Sequence, residues 1–305
     1  ERPFTIINAC DGLADNCAQV VKCTKTGRII ISTIGNLNFY DGKSFKQANT
    51  LLEYEYPLPD YLGHYHLYFD THHHIWLKDK QKVTCLDLFT ERFVQNVDSV
   101  IRELGCQDAV KDMFADQQFK LWFLTDKGLF SPDHQRLHPV EKDRLLQDID
   151  IFEDTLYTFY DNGEVIGFDK DSHEVCRVMA YDEELSSVYA ASTVLQPFGD
   201  GFFQIRNGEK GSVLLFFNAR ERQYHIAMQL DYHLNNMTLD AAGENLYIPS
   251  VYGYWIYNPQ TRKAQHIPNL QLADGQTIGT DCNAMTFDHQ LADRKSGSAG
   301  MPRPI

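Results

Sequence analysis

Five histidines, His64, His66, His72, His73 and His74, make the densest set of metal-binding donors in the chain. On extended backbone, where side chains alternate, His64 and His66 share a face, as do His72 and His74. Zinc asks for three or four such ligands converging, with partners behind them. The triplet, however, sits between two apolar runs, where other stretches carry Gly27-Arg28 or Gly243-Glu244. A solvated turn accounts for it, and no metal is expected. Asp41-Gly42-Lys43-Ser44 contains the Gly-Lys-Ser end of a phosphate loop. The first glycine of that loop would fall at position 37, which is Leu37, and no helical pattern follows. A hairpin turn is expected there. There is no His-Glu-x-x-His, no Gly-x-Ser-x-Gly and no Cys/His nucleophile signature. Carboxylates are abundant, 42 Asp and Glu, but most stand where turns need them. A glycosidase pair assembled by the fold stays open as an alternative. No catalytic residue and no cofactor is expected.

The aromatic residues say more. Nineteen Phe, 16 Tyr and three Trp exceed what core anchors require. Tyrosines mix with Arg, Asn and Asp in Tyr160-Asp161-Asn162, Arg206-Asn207-Gly208-Glu209-Lys210 and Val251-Tyr252-Gly253-Tyr254. Tyrosine rings stack on sugar rings while guanidinium and amide groups bond hydroxyls, so this mix suits carbohydrate. Ordinary polar loops with packed tyrosines are the alternative. The candidate ligand-binding residues are Arg206, Tyr252, Tyr160, Asn207 and Tyr254. Alanine at Arg206 or Tyr252 is expected to abolish ligand-induced signalling and leave the melting temperature nearly unchanged.

Short strands separated by turn residues must position these groups. Ile30, Trp76, Trp122, Tyr157, Phe203 and Tyr247 each anchor an apolar strand, at steps of 46, 46, 35, 46 and 44 residues. Downstream of most anchors comes an apolar residue, then Asp or Asn, then a polar turn: Tyr40-Asp41, Leu86-Asp87, Phe168-Asp169, Phe217-Asn218 and Tyr257-Asn258. The third repeat departs from this, with Phe130-Ser131-Pro132-Asp133. Asp and Asn bond their own backbone and start tight turns between antiparallel strands. Further strands end in Asp70, Asp116, Asp240 and Asp288. Four strands per 44 to 46 residues is the make-up of a propeller blade, which needs neighbours to bury its faces.

The fold class predicted is all-β, a β-propeller of seven-blade type with its last blade incomplete in this chain. The propeller spans residues 1–290, with blades at about 18–48, 64–96, 110–140, 146–180, 191–228 and 234–268 and a partial one at 281–290. Residues 4–7 form a strand closing the ring, and Ser99–Leu104 one short helical turn. The tail 291–305 lacks a strand pattern and reads as non-native or as a disrupted seventh blade.

The chain has 305 residues and a net charge of −14, which argues against nucleic acid or an anionic membrane as partners. No apolar run is long enough to span a bilayer as a helix. The N-terminus has no signal peptide, so either the protein is cytosolic or an export signal has been removed. Its seven cysteines include no Cys-x-x-Cys and read mostly as buried thiols; Cys10 and Cys17 are the sequence-close pair to test for a disulfide.

Asp11-Gly12-Leu13-Ala14-Asp15-Asn16 resembles the opening of two-component regulator propellers. The blade pattern of that family appears in Gly27, Ile30–Thr33, Gly35, Leu37 and Tyr40-Asp41-Gly42, and again in Asp116, Leu121-Trp122, Thr125 and Gly128-Leu129. In the fourth and fifth blades Tyr157 and Phe203 replace the tryptophan. The resemblance covers nearly the whole chain and implies a periplasmic sensor region of hybrid two-component histidine kinases that control glycan-utilisation genes in gut bacteria. It implies an oligosaccharide ligand, an adjoining propeller and β-sandwich on the same polypeptide, a homodimeric receptor, and a kinase and membrane helix outside this chain. A protein-interaction scaffold and a carbohydrate-active lyase or hydrolase are the alternatives.

Overall fold

Alternating apolar runs cut by Asp, Asn and Gly fold here into antiparallel sheets whose strands follow one another in sequence order. The computed structural model describes residues 6–49, 54–61, 65–141, 143–169, 171–172, 175–178, 191–192, 195–279 and 281–287. They fall into two units, one of residues 1–50 with 232–305, the other of residues 51–231.

In the first unit, Ala18–Cys23, Ile29–Thr33, Asn36–Tyr40 and Phe45–Asn49 make one four-stranded blade. Thr238–Leu239, Leu246–Pro249, Tyr254–Asn258 and Lys263–Ile267 make another, the sixth along the chain. A separate hairpin, Asn269–Gln271 with Thr277–Gly279, follows it.

The second unit holds four blades. Its first is built on His66–Phe69, His74–Asp79 and Lys82–Asp87, and its outer edge is shared by Tyr56–Pro57 and Arg92–Phe93. Helix α1, Val97–Glu103, comes next, with the Asn96 side chain accepting from the Ser99 N–H. Asp112–Ala115, Leu121–Thr125, Gly128–Ser131 and Arg136–His138 form the third blade of the chain. The fourth is Leu146–Phe152, Thr155–Tyr160, Val165–Asp169 and Val175–Val178. The fifth pairs Gly201–Gly208 with Gly211–Asn218 and Gln223–Leu230; Ala191–Ser192 and Gln196–Phe198 divide its innermost position.

Two side-chain devices explain why the repeat reads as it does. Where the first strand ends in Asp, that carboxylate closes the turn and grips the next strand. Asp70 accepts the His72 and His74 N–H groups on one oxygen and the Trp76 indole, at 2.9 Å, on the other. Asp116 does the same with Gln118, Lys120 and, at 3.1 Å, Trp122. In the turn after the third strand, Asp41, Asp87, Asp169 and Asn218 each accept two backbone N–H groups. The tryptophans so held pack onto the following blade. Trp76 lies in one core with Met113, Leu121 and Phe123, and Trp122 in another with Leu146, Ile149 and Leu156. Tyr157 takes the tryptophan's place against Phe202 and Phe217. Asp116→Ala leaves a buried indole N–H unpaired and opens the turn, at a cost of about 1–3 kcal/mol in chemical denaturation. A cost as small as that of an exposed substitution would refute the gripping role.

Several expectations change. Among the described residues there are six blades, and no strand forms at 281–287, so a seventh is not seen. Residues 288–290 and the tail 291–305 lie outside the described residues. The closing strand expected at 4–7 is absent from Ile6 and Ile7, which are exposed and lead into a short turn, Ala9–Asp11, capped by Asn8; Phe4 and Thr5 lie outside the described residues. Cys10 and Cys17 are free, exposed thiols, each beside its own local hydrogen bonds. The expected helical turn at 99–104 is α1, two residues longer at its start and one shorter at its end.

Candidate ligand-binding site

The residues expected to touch a ligand lie at or beside the strand-two-to-strand-three turns, Tyr252 within its turn and Tyr160, Arg206, Asn207 and Tyr254 on the flanking strands, and the structure sorts them by burial. In the second unit, Tyr160 ends the second strand of its blade with its ring inside the core of Trp122 and Leu146. Its hydroxyl oxygen accepts the Glu141 N–H at 3.0 Å, and burial raises its pKa. Arg206 is fully buried. Its guanidinium donates to Gln147 Oε1 at 3.1 Å and to the Asp161 carbonyl at 2.6 Å, tying the fifth blade to the fourth. Asn207 is half-buried, its side-chain oxygen accepting the Ser212 hydroxyl across the hairpin. In the first unit, Tyr254 is buried and stacks with Tyr247, centroids 6.0 Å apart. Tyr252, at the tip of its turn, is 60% exposed.

Arg206 and Tyr252 therefore part company. Arg206→Ala empties a fully buried position and takes a donor from two half-buried acceptors, lowering stability by about 1–3 kcal/mol, whereas Tyr252→Ala changes it by less than about 0.5 kcal/mol. Thermal denaturation of both variants checks this, and equal melting temperatures would contradict it. The expectation that Arg206→Ala leaves the fold untouched is withdrawn, because the alternation of the strand turns that side chain inward.

Inside the second unit lies a charged set that local spacing does not reveal. Lys78 Nζ donates to Asp112 Oδ1 at 2.6 Å and to the Met113 carbonyl at 2.7 Å. Three rings surround it, with centroids 4.2 Å (Tyr61), 4.8 Å (Phe114) and 5.6 Å (Tyr68) away. Asp148 accepts the Leu195 N–H at 3.0 Å, and Asp150 the Gln117 N–H at 3.1 Å, so each buried carboxylate holds a neighbouring blade. Burial raises all three acids: Asp112 despite Lys78, Asp148 to about 6, Asp150 to about 8. The signal was available in Asp148-Ile149-Asp150, two acids on one face of an apolar strand.

Among the described residues the histidines do not converge. His74 Nδ1 is 2.9 Å from Asp70 Oδ2, His66 stacks beside Tyr68, and His73 packs on Phe89. His64 lies outside the described residues.

No protein-family model matches the sequence, and no curated protein matches it significantly. Solved structures do. One, described as the extracellular domain of a hybrid two-component system of B. thetaiotaomicron, superposes with a TM-score of 0.62 at 15% identity, over 95% of this chain and 40% of that one. A second of the same description and organism gives 0.59 at 14% identity, over 93% and 39%. PorZ, a surface component of the type-IX secretion system of Porphyromonas gingivalis, gives 0.52 at 8% identity, over 95% and 38%. This chain thus spans about two fifths of the length of each. At such identities the likeness speaks for architecture, and with the blades described above it makes this chain an all-β propeller, built like the extracellular domains of hybrid two-component systems.

Proposed function

We propose that this chain is the periplasmic ligand-sensing module of a hybrid two-component histidine kinase, and that it recognises an oligosaccharide and controls glycan-utilisation genes. The observation that supports it best is fold likeness along 93 to 95% of the chain to extracellular domains described as parts of such systems. Among the described residues no helix is long and apolar enough to cross a membrane. On this reading the module does no chemistry, and the kinase lies elsewhere on the same polypeptide. An adjoining propeller and a β-sandwich are its neighbours, and the receptor is a homodimer. The propeller is of seven-blade type; the hairpin that continues the chain beyond its sixth blade supports this.

A sensor of this kind works only through differential affinity. The saccharide must bind one arrangement of the domains better than another, since equal affinity for both shifts nothing however tight the binding. The blades, locked by Asp–Trp grips and buried carboxylates, suit the rigid half of such a device. Reading the gene past the codon for Ile305 tests the proposal: a transmembrane helix followed by histidine-kinase motifs is expected. A stop codon shortly after would overturn it.

A further inference from the structure

We propose that the sixth blade carries a saccharide-stacking platform formed by Tyr232, Tyr252, Trp255 and His266, and that its ligand is a neutral pyranose unit. This rests on the oligosaccharide reading above and gives it a site. Trp255 and His266 are direct partners across the third and fourth strands of that blade. Their rings lie flat on one another, with centroids 4.5 Å apart and planes 15° apart. The Trp255 indole donates to the Tyr232 hydroxyl oxygen at 2.8 Å. His266 Nε2 lies 2.7 Å from the Tyr252 carbonyl oxygen. A carbonyl only accepts, so that nitrogen carries the hydrogen and Nδ1 of the neutral ring is an acceptor. Tyr232 and Tyr252 meet edge to face, 5.1 Å apart at 84°.

Four rings are thus fixed by two hydrogen bonds and mutual contact without being buried. Tyr252 is largely in water, and Tyr232, Trp255 and His266 are half-buried. In four other blades the place of Trp255, three residues before the turn Asp or Asn, belongs to Asn38, Thr84, Ile166 and Leu215, all 5% exposed or less. In the third it is Phe130, half-buried and packed against the core of Trp76. In the sixth the half-buried ring is stacked on His266 and hydrogen-bonded to Tyr232. Rings held in place before a ligand arrives lose little entropy on binding. Their faces suit the apolar face of a sugar. The Tyr232 hydroxyl hydrogen, the Tyr252 hydroxyl and His266 Nδ1 suit its hydroxyls. None of the four is Lys or Arg, and the chain carries a net charge of −14, so a neutral saccharide is favoured over an acidic one.

The tryptophans supply the test. Of the three in the chain, Trp76 and Trp122 are 0% and 1% exposed, so acrylamide quenching of fluorescence reads Trp255. The probes are neutral gluco-, xylo- and mannotetraose, with tetragalacturonate as the acidic member, and binding is measured by calorimetry. A neutral tetrasaccharide that binds should lower the quenching constant at least about twofold, and Tyr252→Ala should weaken it about tenfold or more without moving the melting temperature. Tyr252→Phe should retain most of the affinity. Binding that leaves quenching unchanged and is indifferent to Tyr252→Ala overturns the platform and leaves the sensor reading standing. Binding of tetragalacturonate alone overturns the neutral ligand. A panel with no binder overturns the saccharide reading and the platform with it.

Discussion

Lys78→Met lowers the unfolding free energy by about 3–5 kcal/mol, a large part of the roughly 5–15 kcal/mol that holds a domain together. Lys78 and Asp112 are 1% and 2% exposed, so neither charge has water to fall back on. Removing the ammonium leaves the carboxylate with only the Met113 N–H, takes the ammonium donor from the Met113 carbonyl and empties the space among Tyr61, Phe114 and Tyr68 of its cation. The carboxyl, already pushed up by burial, then takes a proton to escape its charge, so the loss is smaller at acid pH. Adding Asp112→Asn to Lys78→Met keeps the bond accepted from the Met113 N–H, 2.7 Å in the native chain, and removes the orphaned charge. The double variant should therefore regain at least half the loss. Urea denaturation of both single variants and the double variant gives the coupling. Additive losses below about 1 kcal/mol would show that the pair is not the clamp its geometry makes it.

Stability should fall by about 5 kcal/mol between pH 5 and pH 8. Asp150 and Asp148 have folded pKa values raised, mainly by burial, to about 8 and about 6. In the unfolded chain both ionise near pH 4. Between those limits the folded state binds more protons than the unfolded one, so each rise in pH favours unfolding. His74, raised by its hydrogen bond to Asp70, acts in the same direction: its contribution is complete below its ordinary pKa and fades as pH climbs through the folded one. Asp70 works at the acid end. Burial pushes it up, but bonds from His74 and Trp76 hold it below its ordinary value, so its contribution is lost as pH falls through the folded pKa. The maximum therefore lies near pH 4, where the losses from Asp148 and Asp150 begin. Asp150→Asn retains an oxygen to accept the Gln117 and Ile151 N–H groups and cannot ionise. It should match the native protein at pH 5 and exceed it at pH 8. A flat native profile, unaltered by that substitution, would sink the assignment.

What could be read in the sequence and what could not divides by distance along the chain. The Asp70–Trp76 and Asp116–Trp122 grips span six residues, and the turn bonds of Asp41 or Asp87 span two or three, so a repeat of residue types carries them directly. The interblade bonds span more: 34 residues from Lys78 to Asp112, 47 from Asp148 to Leu195 and 59 from Gln147 to Arg206. Those partners meet only because whole blades stack, and no local spacing encodes that. Arg206 reads as a loop residue because Gly208-Glu209-Lys210 follows it, yet it is still on the strand and points inward. The fold is legible because turn chemistry recurs; of the proposed platform, Tyr252 is legible as an aromatic in a glycine turn. Trp255 and His266 are not legible, because their pairing depends on the register of two strands.

The most direct test of the central claim is calorimetry of this chain against a panel of neutral oligosaccharides, with chromatography of the sugar recovered after prolonged incubation. One-to-one binding of at least one member, and its return intact, is the expected result. Shortened or unsaturated products would make the propeller an enzyme, and a panel that neither binds nor changes would contradict the sensing role.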